Sequence, residues 1–339
     1  MTFVGLLVTL VKIFVVFNVV MAVVTYLSWV ERRVSAFIQD RIGPNRVGPF
    51  GLLQPFADAL KFIFKEDLIP AQVNRPVFIL APALSLIPAL ITFAVIPFGG
   101  TLRAFGREVP LIITDVNIGV LYILAISSLG VYGIVLAGWA SNNKYSLLGG
   151  MRSAAQMISY ELSLGLSLVG VLLLTGSLSL QKVVYAQHGL WNIVTQPLAF
   201  FIFLVAMFAE TNRLPFDLPE CETELVAGYH TEYSAMKFAM FFMAEYANMV
   251  TASAMAVTLF FGGWQIPFLS TPEPSPLWLS LLEMLAFAVK VGIFLFLFVW
   301  VRWTVPRFRY DQLMRLGWKV LLPLALLNIF VTAGVVALI

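Results

Sequence analysis

Eight stretches of this chain are each apolar and long enough to cross a hydrocarbon layer ~30 Å thick, which takes about 20 helical residues. They lie at 8–30, 76–98, 116–139, 154–175, 191–209, 236–261, 282–301 and 319–338. A backbone in lipid has no water to bond, so only helices or closed barrels can cross. Barrel strands would show short alternating segments, and these segments are continuously apolar. The expected fold is an all-α integral membrane protein of about eight transmembrane helices, forming one polytopic membrane domain over residues 1–339. Composition agrees: 60% of residues are hydrophobic, 12% are charged, and mean hydropathy is +0.92.

Basic residues divide unevenly between the loops. Arg32, Arg33, Arg41, Arg46, Lys61, Lys65 and Arg75 follow the first span. Lys144 and Arg152 follow the third, Arg213 the fifth, and Arg302, Arg307, Arg309, Arg315 and Lys319 the seventh. The opposite side holds Arg103, Arg107 and Lys182. The positive-inside rule then puts the long loops on the cytoplasmic side, or its organellar equivalent, and both termini on the other. The first apolar run is too long for a secretory signal core and lacks a basic start.

Several chemistries fit poorly. Cys221 is the single cysteine, and His188 and His230 are the two histidines. These suit neither an iron–sulfur cluster nor a haem or zinc site built by this chain alone. No Gly-rich phosphate loop is present. A net charge of +3 with scattered basic residues does not suggest nucleic-acid binding.

Within the long first loop, Leu52, Leu53, Phe56, Leu60, Ile63 and Phe64 recur at helical spacing over 51–64, with Gln54, Asp58, Lys61 and Lys65 largely elsewhere on the wheel. The pattern predicts an amphipathic helix at the membrane surface or against a partner. The outer loops at 99–115 and 262–281 are rich in Gly and Pro, and Thr271-Pro272-Glu273-Pro274-Ser275-Pro276 reads as a stiff linker.

The fifth loop is acidic on the side that should be basic. Glu210, Asp217, Glu220, Glu222, Glu224 and Glu232 are opposed locally by Arg213, with His230 nearby. Asp217-Leu218-Pro219-Glu220 reads as a helix start, with Asp217 as N-cap and Glu220 closing a capping box. That leaves Glu210 and Glu232 unexplained. Carboxylates gathered in this way hold protons near neutral pH and can conduct them.

Inside the spans, Glu161 and Glu245 each cost at least ~2.5–3.5 kcal/mol on insertion scales, so they should face the bundle or a wet cavity. Ser159, Ser163, Ser167 and Gly170 form a small-residue stripe suited to close helix contact, and Glu161 points away from it. Lys290 lies near the middle of the seventh span, about 10 Å along the axis from Glu283, and so needs another partner or a water path. Lys12 and Lys237 can snorkel to the interfaces. Arg32, Arg33, Arg41 and Arg46 suit interfacial anchoring or a cavity for a polar head group.

These motifs resemble a known family. Glu31-Arg32-Arg33, then Ala36, Gln39, Arg41 and Gly43-Pro44-Asn45-Arg46-Val47-Gly48, continue into Leu52-Leu53-Gln54-Pro55-Phe56-Ala57-Asp58-Ala59-Leu60-Lys61. Gly138-Trp139-Ala140-Ser141-Asn142 and Ser159-Tyr160-Glu161 follow. The strongest run is Glu210-Thr211-Asn212-Arg213, Pro215-Phe216-Asp217, Glu220, Glu222, Glu224-Leu225 and Gly228, then Glu232-Tyr233 and Glu245-Tyr246. Together they resemble the quinone-site membrane subunit of respiratory NADH–quinone oxidoreductase (complex I). Cys221 departs from the Ala or Gly expected there.

The resemblance implies a quinone-tunnel and coupling subunit of a proton- or sodium-pumping translocase in a bacterial plasma membrane, or alternatively a mitochondrial inner membrane. It implies quinone as substrate, with flavin and iron–sulfur clusters on partner subunits and no cofactor bound by this chain. Soluble-arm quinone-site and iron–sulfur subunits, antiporter-like membrane subunits and lipid are the implied partners. On matching positions it implies a quinone tunnel at Arg32, Gln39, Arg41, Phe56, Asp58 and Phe64. A proton path is expected at Glu161, Glu210, Glu245 and Lys290, and a coupling loop at Arg213, Asp217, Glu220, Glu222, Glu224 and Glu232. The competing readings are the membrane subunit of an energy-converting hydrogenase, which the quinone-type signature at 31–61 opposes, and a stand-alone ion transporter, which would show an internal repeat.

Overall fold

The computed structural model describes residues 3–104, 107–220, 222–267, 269 and 274–338, with the side chains of 3, 4, 104, 107, 222 and 223 outside that description. It is a bundle of helices: α1 Phe3–Ile38, α2 Gln54–Phe64, α3 Arg75–Ile91, α4 Gly119–Ala140, α5 Lys144–Thr175, α6 Leu180–Ala186, α7 Asn192–Thr195, α8 Pro197–Glu210, α9 Glu222–Leu225, α10 Ala235–Phe260, α11 Leu277–Thr304, α12 Tyr310–Leu316 and α13 Leu322–Leu338. A π-helical turn, Gly317–Leu321, joins α12 to α13. Strands β1 Thr101–Ala104 and β2 Arg107–Pro110 pair as an antiparallel hairpin in the outer loop.

Six helical segments among the described residues are long and apolar enough to cross a membrane: Gly5–Ile38, Arg75–Val95, Gly119–Ala140, Lys144–Thr175, Leu277–Thr304 and Tyr310–Leu338. The other two expected spans are α8 and α10. The α8 helix has 14 residues, because Pro197 lacks an amide donor and forces Gln196 out of helical geometry, splitting the stretch expected at 191–209 into α7 and α8. The α10 helix has 26 residues, but neighbours α1, α3, α8 and α11 wrap it. A helix shielded from lipid tolerates polar side chains, and α10 carries Lys237 and Glu245.

Two helices are longer than expected. The α1 helix runs to Ile38, beyond the expected end at 30, so Glu31 and Arg32 ride on a rigid helix rather than in a loop. The α5 helix begins at Lys144 rather than 154; Asn143 caps it by accepting the amide of Tyr145 at 2.9 Å. At its other end Gly176, φ 64°, donates its amide to Leu172.

The chain crosses up and down, so alternate loops meet. On one side, Asn74 donates its amide to Ala140, Leu68 to the Ser234 hydroxyl, and Phe308 to Pro215. On the other, Val120 donates to Leu178, and the Gln265 amide group donates to Val184 at 2.6 Å. Helices α3 and α4 approach so closely at Gly133 that a Cβ there would stand 2.2 Å from the Ser85 hydroxyl. The principal core gathers Phe203, Met207, Phe260, Phe298 and Leu168 between α5, α8, α10 and α11.

Candidate functional site

A buried ion-pair junction lies where α1, α10, α11 and the segment after α8 converge. Arg213, 3% exposed, donates through one terminal nitrogen to Glu31 Oε1 at 3.1 Å and Oε2 at 3.2 Å. Its Nε ion-pairs with Glu245 on α10. Arg302 of α11 donates to Glu31 Oε1 at 2.5 Å, and the Tyr246 hydroxyl to Glu31 Oε2 at 2.7 Å. Arg213 also lies over the Tyr246 ring, 4.6 Å from its centre. Two carboxylates and two guanidiniums thus neutralise one another. Burial opposes the charged form of Arg213, but the neighbouring Glu245 and Glu31 outweigh it and hold the guanidinium firmly protonated. An unpaired buried charge costs several kcal/mol, and Glu31 here collects three partners, Arg213, Arg302 and Tyr246.

The acidic loop is answered by cations remote in sequence, not by Arg213 alone. Arg307 binds Asp217 at 2.7 Å, and Arg152 of α5 binds Glu224 at 2.5 Å. The helix start expected at Asp217-Leu218-Pro219-Glu220 does not form. Those residues make turns, Asp217 is committed to Arg307, and Glu220 faces His230 at 3.3 Å. A cationic side chain outcompetes a backbone amide for a carboxylate. The segment closes on itself at Gly228, φ 59°, where a Cβ would stand 1.6 Å from the Pro219 carbonyl; the close approach brings His230 onto Glu220.

Asp217 and Glu220 titrate as a pair. Burial, then the Glu220 charge, push Asp217 up to about 7 despite Arg307. Burial also pushes Glu220 up, but the close approach of His230 and the charges of Arg213 and Arg307 outweigh it and hold the carboxyl below its ordinary value. Glu232 accepts from Asn143 at 2.7 Å. The side chain of Glu222, and Cys221 and Thr271-Pro272-Glu273 of the expected linker, lie outside the described residues.

Glu210, Glu220 and Glu245 line one small cavity with Tyr229 and Asn248, about 30 Å³ in volume. A second cavity, also about 30 Å³, continues from Glu210, Thr211 and Asn248 to Ser127 and Thr251. Each has room for about one water among polar partners. Glu210 and Ser127 face one another across the second cavity. Glu220, Glu245 and Glu210 therefore share one polar cavity, and Glu210 leads on into the second. Gln156 donates to the carbonyls of Ala209 at 2.7 Å and Phe216 at 2.6 Å.

Lys290 is not brought to these cavities. It donates to the carbonyls of Phe261, Gly263 and Gln265 at 2.7–2.9 Å and sits 4.4 Å from the centre of the Trp191 ring. That is the far end of α10, about 24 Å along the axis from Glu245. Glu283, which the spacing keeps from Lys290, accepts the amide of Gly100 at 3.2 Å.

Between α1 and α2, Arg32 binds Asp58 at 2.7 Å and the Gln54 amide group donates to Asp58 at 2.9 Å. Arg41 donates to Gln39 at 2.7 Å. Phe56 meets Tyr26 edge-on at 6.1 Å, and Phe64 is exposed at the end of α2. Arg32 follows Glu31 directly, so the α2 contacts and the buried junction share one turn of α1.

Arg213 and Glu245 stand out in the sequence as site residues, whereas Glu31, Arg302, Arg307, Tyr246, Gln156 and Asn248 do not. Arg302 and Arg307 have the pattern of interfacial anchors. The one local signal for the junction is the charge of Glu31 at the edge of an apolar run.

The class is set by these observations: a polytopic helical membrane protein whose charged side chains are drawn into a buried network reaching into the bundle. Residues 11–333 match the family described as NADH dehydrogenase. Similar proteins include an NADH-quinone oxidoreductase H-type subunit of Koribacter versatilis, 57% identical over 98% of both chains. Another is an H-type subunit of the same enzyme from Geobacter metallireducens, 56% identical over 97% of this chain and 96% of that one. A third, from Cytophaga hutchinsonii, is 52% identical over 95% of each. The chain belongs to this family, and is a membrane subunit of NADH–quinone oxidoreductase, complex I.

Proposed function

We propose that this subunit couples quinone reduction to proton translocation through its buried carboxylates. The first-loop residues Arg32, Gln39, Arg41, Phe56, Asp58 and Phe64 form the wall and mouth of a quinone tunnel, apolar for the isoprenoid tail and polar for the head group. The flavin and iron–sulfur clusters belong to soluble-arm subunits docked on the same side, and antiporter-like membrane subunits receive the displaced charge. The loops rich in Lys and Arg face the cytoplasm and both termini face the periplasm across the inner membrane.

The observation that carries the reading is the single cavity shared by Glu210, Glu220 and Glu245, with Glu31 tied to it through Arg213; in this reading Glu161 continues the path. Reducing a quinone consumes two protons and places negative charge near the α1–α2 end. Arg213 bonds Glu31 and Glu245 at once, so a charge arising beside Glu31 changes the share of that guanidinium left for Glu245. At low local dielectric a change of this kind favours proton uptake by the carboxylate that loses its partner. Asp217 and Glu220, held by Arg307 and His230, stand at the loop end of the path, where protons enter from the aqueous side.

Glu161→Gln and Glu245→Gln complexes, assayed in membrane vesicles, are expected to assemble and to lose coupled proton transport. Normal coupled transport in both would rule the path out. Arg41→Ala is expected to raise the quinone KM and alter inhibitor sensitivity, and no change in either would count against its place in the tunnel.

A further inference from the structure

The outer half of α1 stands away from the bundle. Between it, the segment leaving the β-hairpin and α11 runs a groove of about 580 Å³ that reaches along α1 from Leu7 to Val20, about 20 Å of helix. A neighbouring groove of about 370 Å³, on the α3 side, meets it at Val16, Val20 and Ile113. Protein interiors are close-packed, and gaps this large beside a helix forfeit its van der Waals contacts unless something fills them.

The chemistry of the larger groove is specific. Its lining is apolar, with walls such as Val15, Val19, Phe98 and Phe287, and carries a single polar side chain, Lys12. The Lys12 ammonium donates to the carbonyls of Pro110 at 2.7 Å and Ile112 at 3.1 Å. An ammonium has three donors, and the third has no protein acceptor among the described residues.

The depth of Lys12 follows from the other end of the helix. Trp29, with Arg33 5.9 Å from its ring centre, marks the inner interface of α1. The ~30 Å hydrocarbon layer spans about 20 residues from there, ending near Thr9. Lys12 therefore lies within about one turn of the opposite boundary, and its side chain can reach the level of lipid phosphates. The apolar part of the groove descends from that point toward the middle of the layer.

We propose that this groove is a specific site for one phospholipid, of the outer leaflet in the orientation proposed above, its phosphate on the third N–H of Lys12 and an acyl chain along α1, packing the gap between α1 and α11. This site lies on the side of the protein opposite the ion-pair junction and does not depend on the quinone and proton reading. The test counts phospholipid retained by the whole complex after exhaustive detergent washing, then re-adds phosphatidylglycerol in mixed micelles. Wild type and Lys12→Arg are expected to retain one more phospholipid per complex than Lys12→Gln. They should also retain one more than Ala288→Trp, whose indole fills the groove from its exposed α11 wall. Re-added lipid should restore the missing molecule to delipidated wild type but to neither of those two variants. Equal counts in all four overturn the proposal. So does an Ala288→Trp complex that has lost a membrane subunit, which would make the groove a seat for a protein helix, or a retained molecule that proves to be quinone.

Discussion

Toward its two ends α10 meets a buried guanidinium and a half-buried ammonium, and they are satisfied in opposite ways. Near the loop end, Arg213 is shared between two carboxylates on different helices, with Arg302 and Tyr246 completing the set. At the other end, Lys290 spends its three protons on three backbone carbonyls just beyond the helix. Carbonyls do not titrate, so Lys290 has no second charged partner to be divided between: it closes the helix end and sets a cation at the negative end of the helix dipole. Carboxylates do titrate, and a guanidinium divided between two of them can be redistributed when one changes charge. The contrast separates a structural use of buried charge from one able to carry a signal, although both look alike as isolated charges in apolar sequence.

The sharpest break of that contrast is Arg213→Met. It leaves Glu31 and Glu245 with too few counter-charges in a buried site, and removing one partner of such a set costs about 3–5 kcal/mol. Thermal unfolding of the isolated complex should show the largest loss of any single change considered, and Glu245→Gln in the same chain should restore part of it, since the orphaned charge is then gone. No recovery in the double variant would mean that Arg213 packs rather than balances charge. Next in size is Lys290→Met. Each hydrogen bond from a charged donor is worth about 1.5–3 kcal/mol, so a loss of a few kcal/mol in stability is expected while protons moved per NADH oxidised stay unchanged in the complexes that survive. A fall in that ratio at unaltered stability would place Lys290 in the ion path and erase the distinction.

The smallest effect is a pH slope. Asp217 in the folded chain holds its proton up to about 7, against 3.8 ordinarily. A raised carboxyl pKa favours the fold where the group is protonated, so this contribution is fully present below about pH 4 and is lost as pH rises to about 7. Melting temperatures of wild type minus Asp217→Asn should therefore fall across that interval and level off above it. A flat difference would mean that the Asp217–Glu220 pair keeps one charge state across that interval.

Much of the molecule is legible in the amino-acid order. The apolar runs, the bias of the loops and the amphipathic pattern of α2 follow from local composition and period. Glu161, Glu210 and Glu245 stand out because a carboxylate in an apolar run has a cost that demands an explanation. Where sequence and structure disagree, the cause is shared. Lys290 groups with the acids when depth is judged along one helix, because nothing local shows that the turn at Gly262 and Gly263 brings carbonyls to its ammonium. Asp217 and Glu220 have the spacing of a capping box, but the competing partners, Arg307 and His230, are decided by the path of the chain.

Hydropathy and backbone hydrogen bonding act over a few residues, so the sequence alone determined that this chain makes membrane helices and which side chains would be costly among them. Ion pairing acts through space. Glu31 meets Arg213 across 182 positions and Arg302 across 271, and only the packing of α1 against α10 and α11 decided that these charges would answer one another.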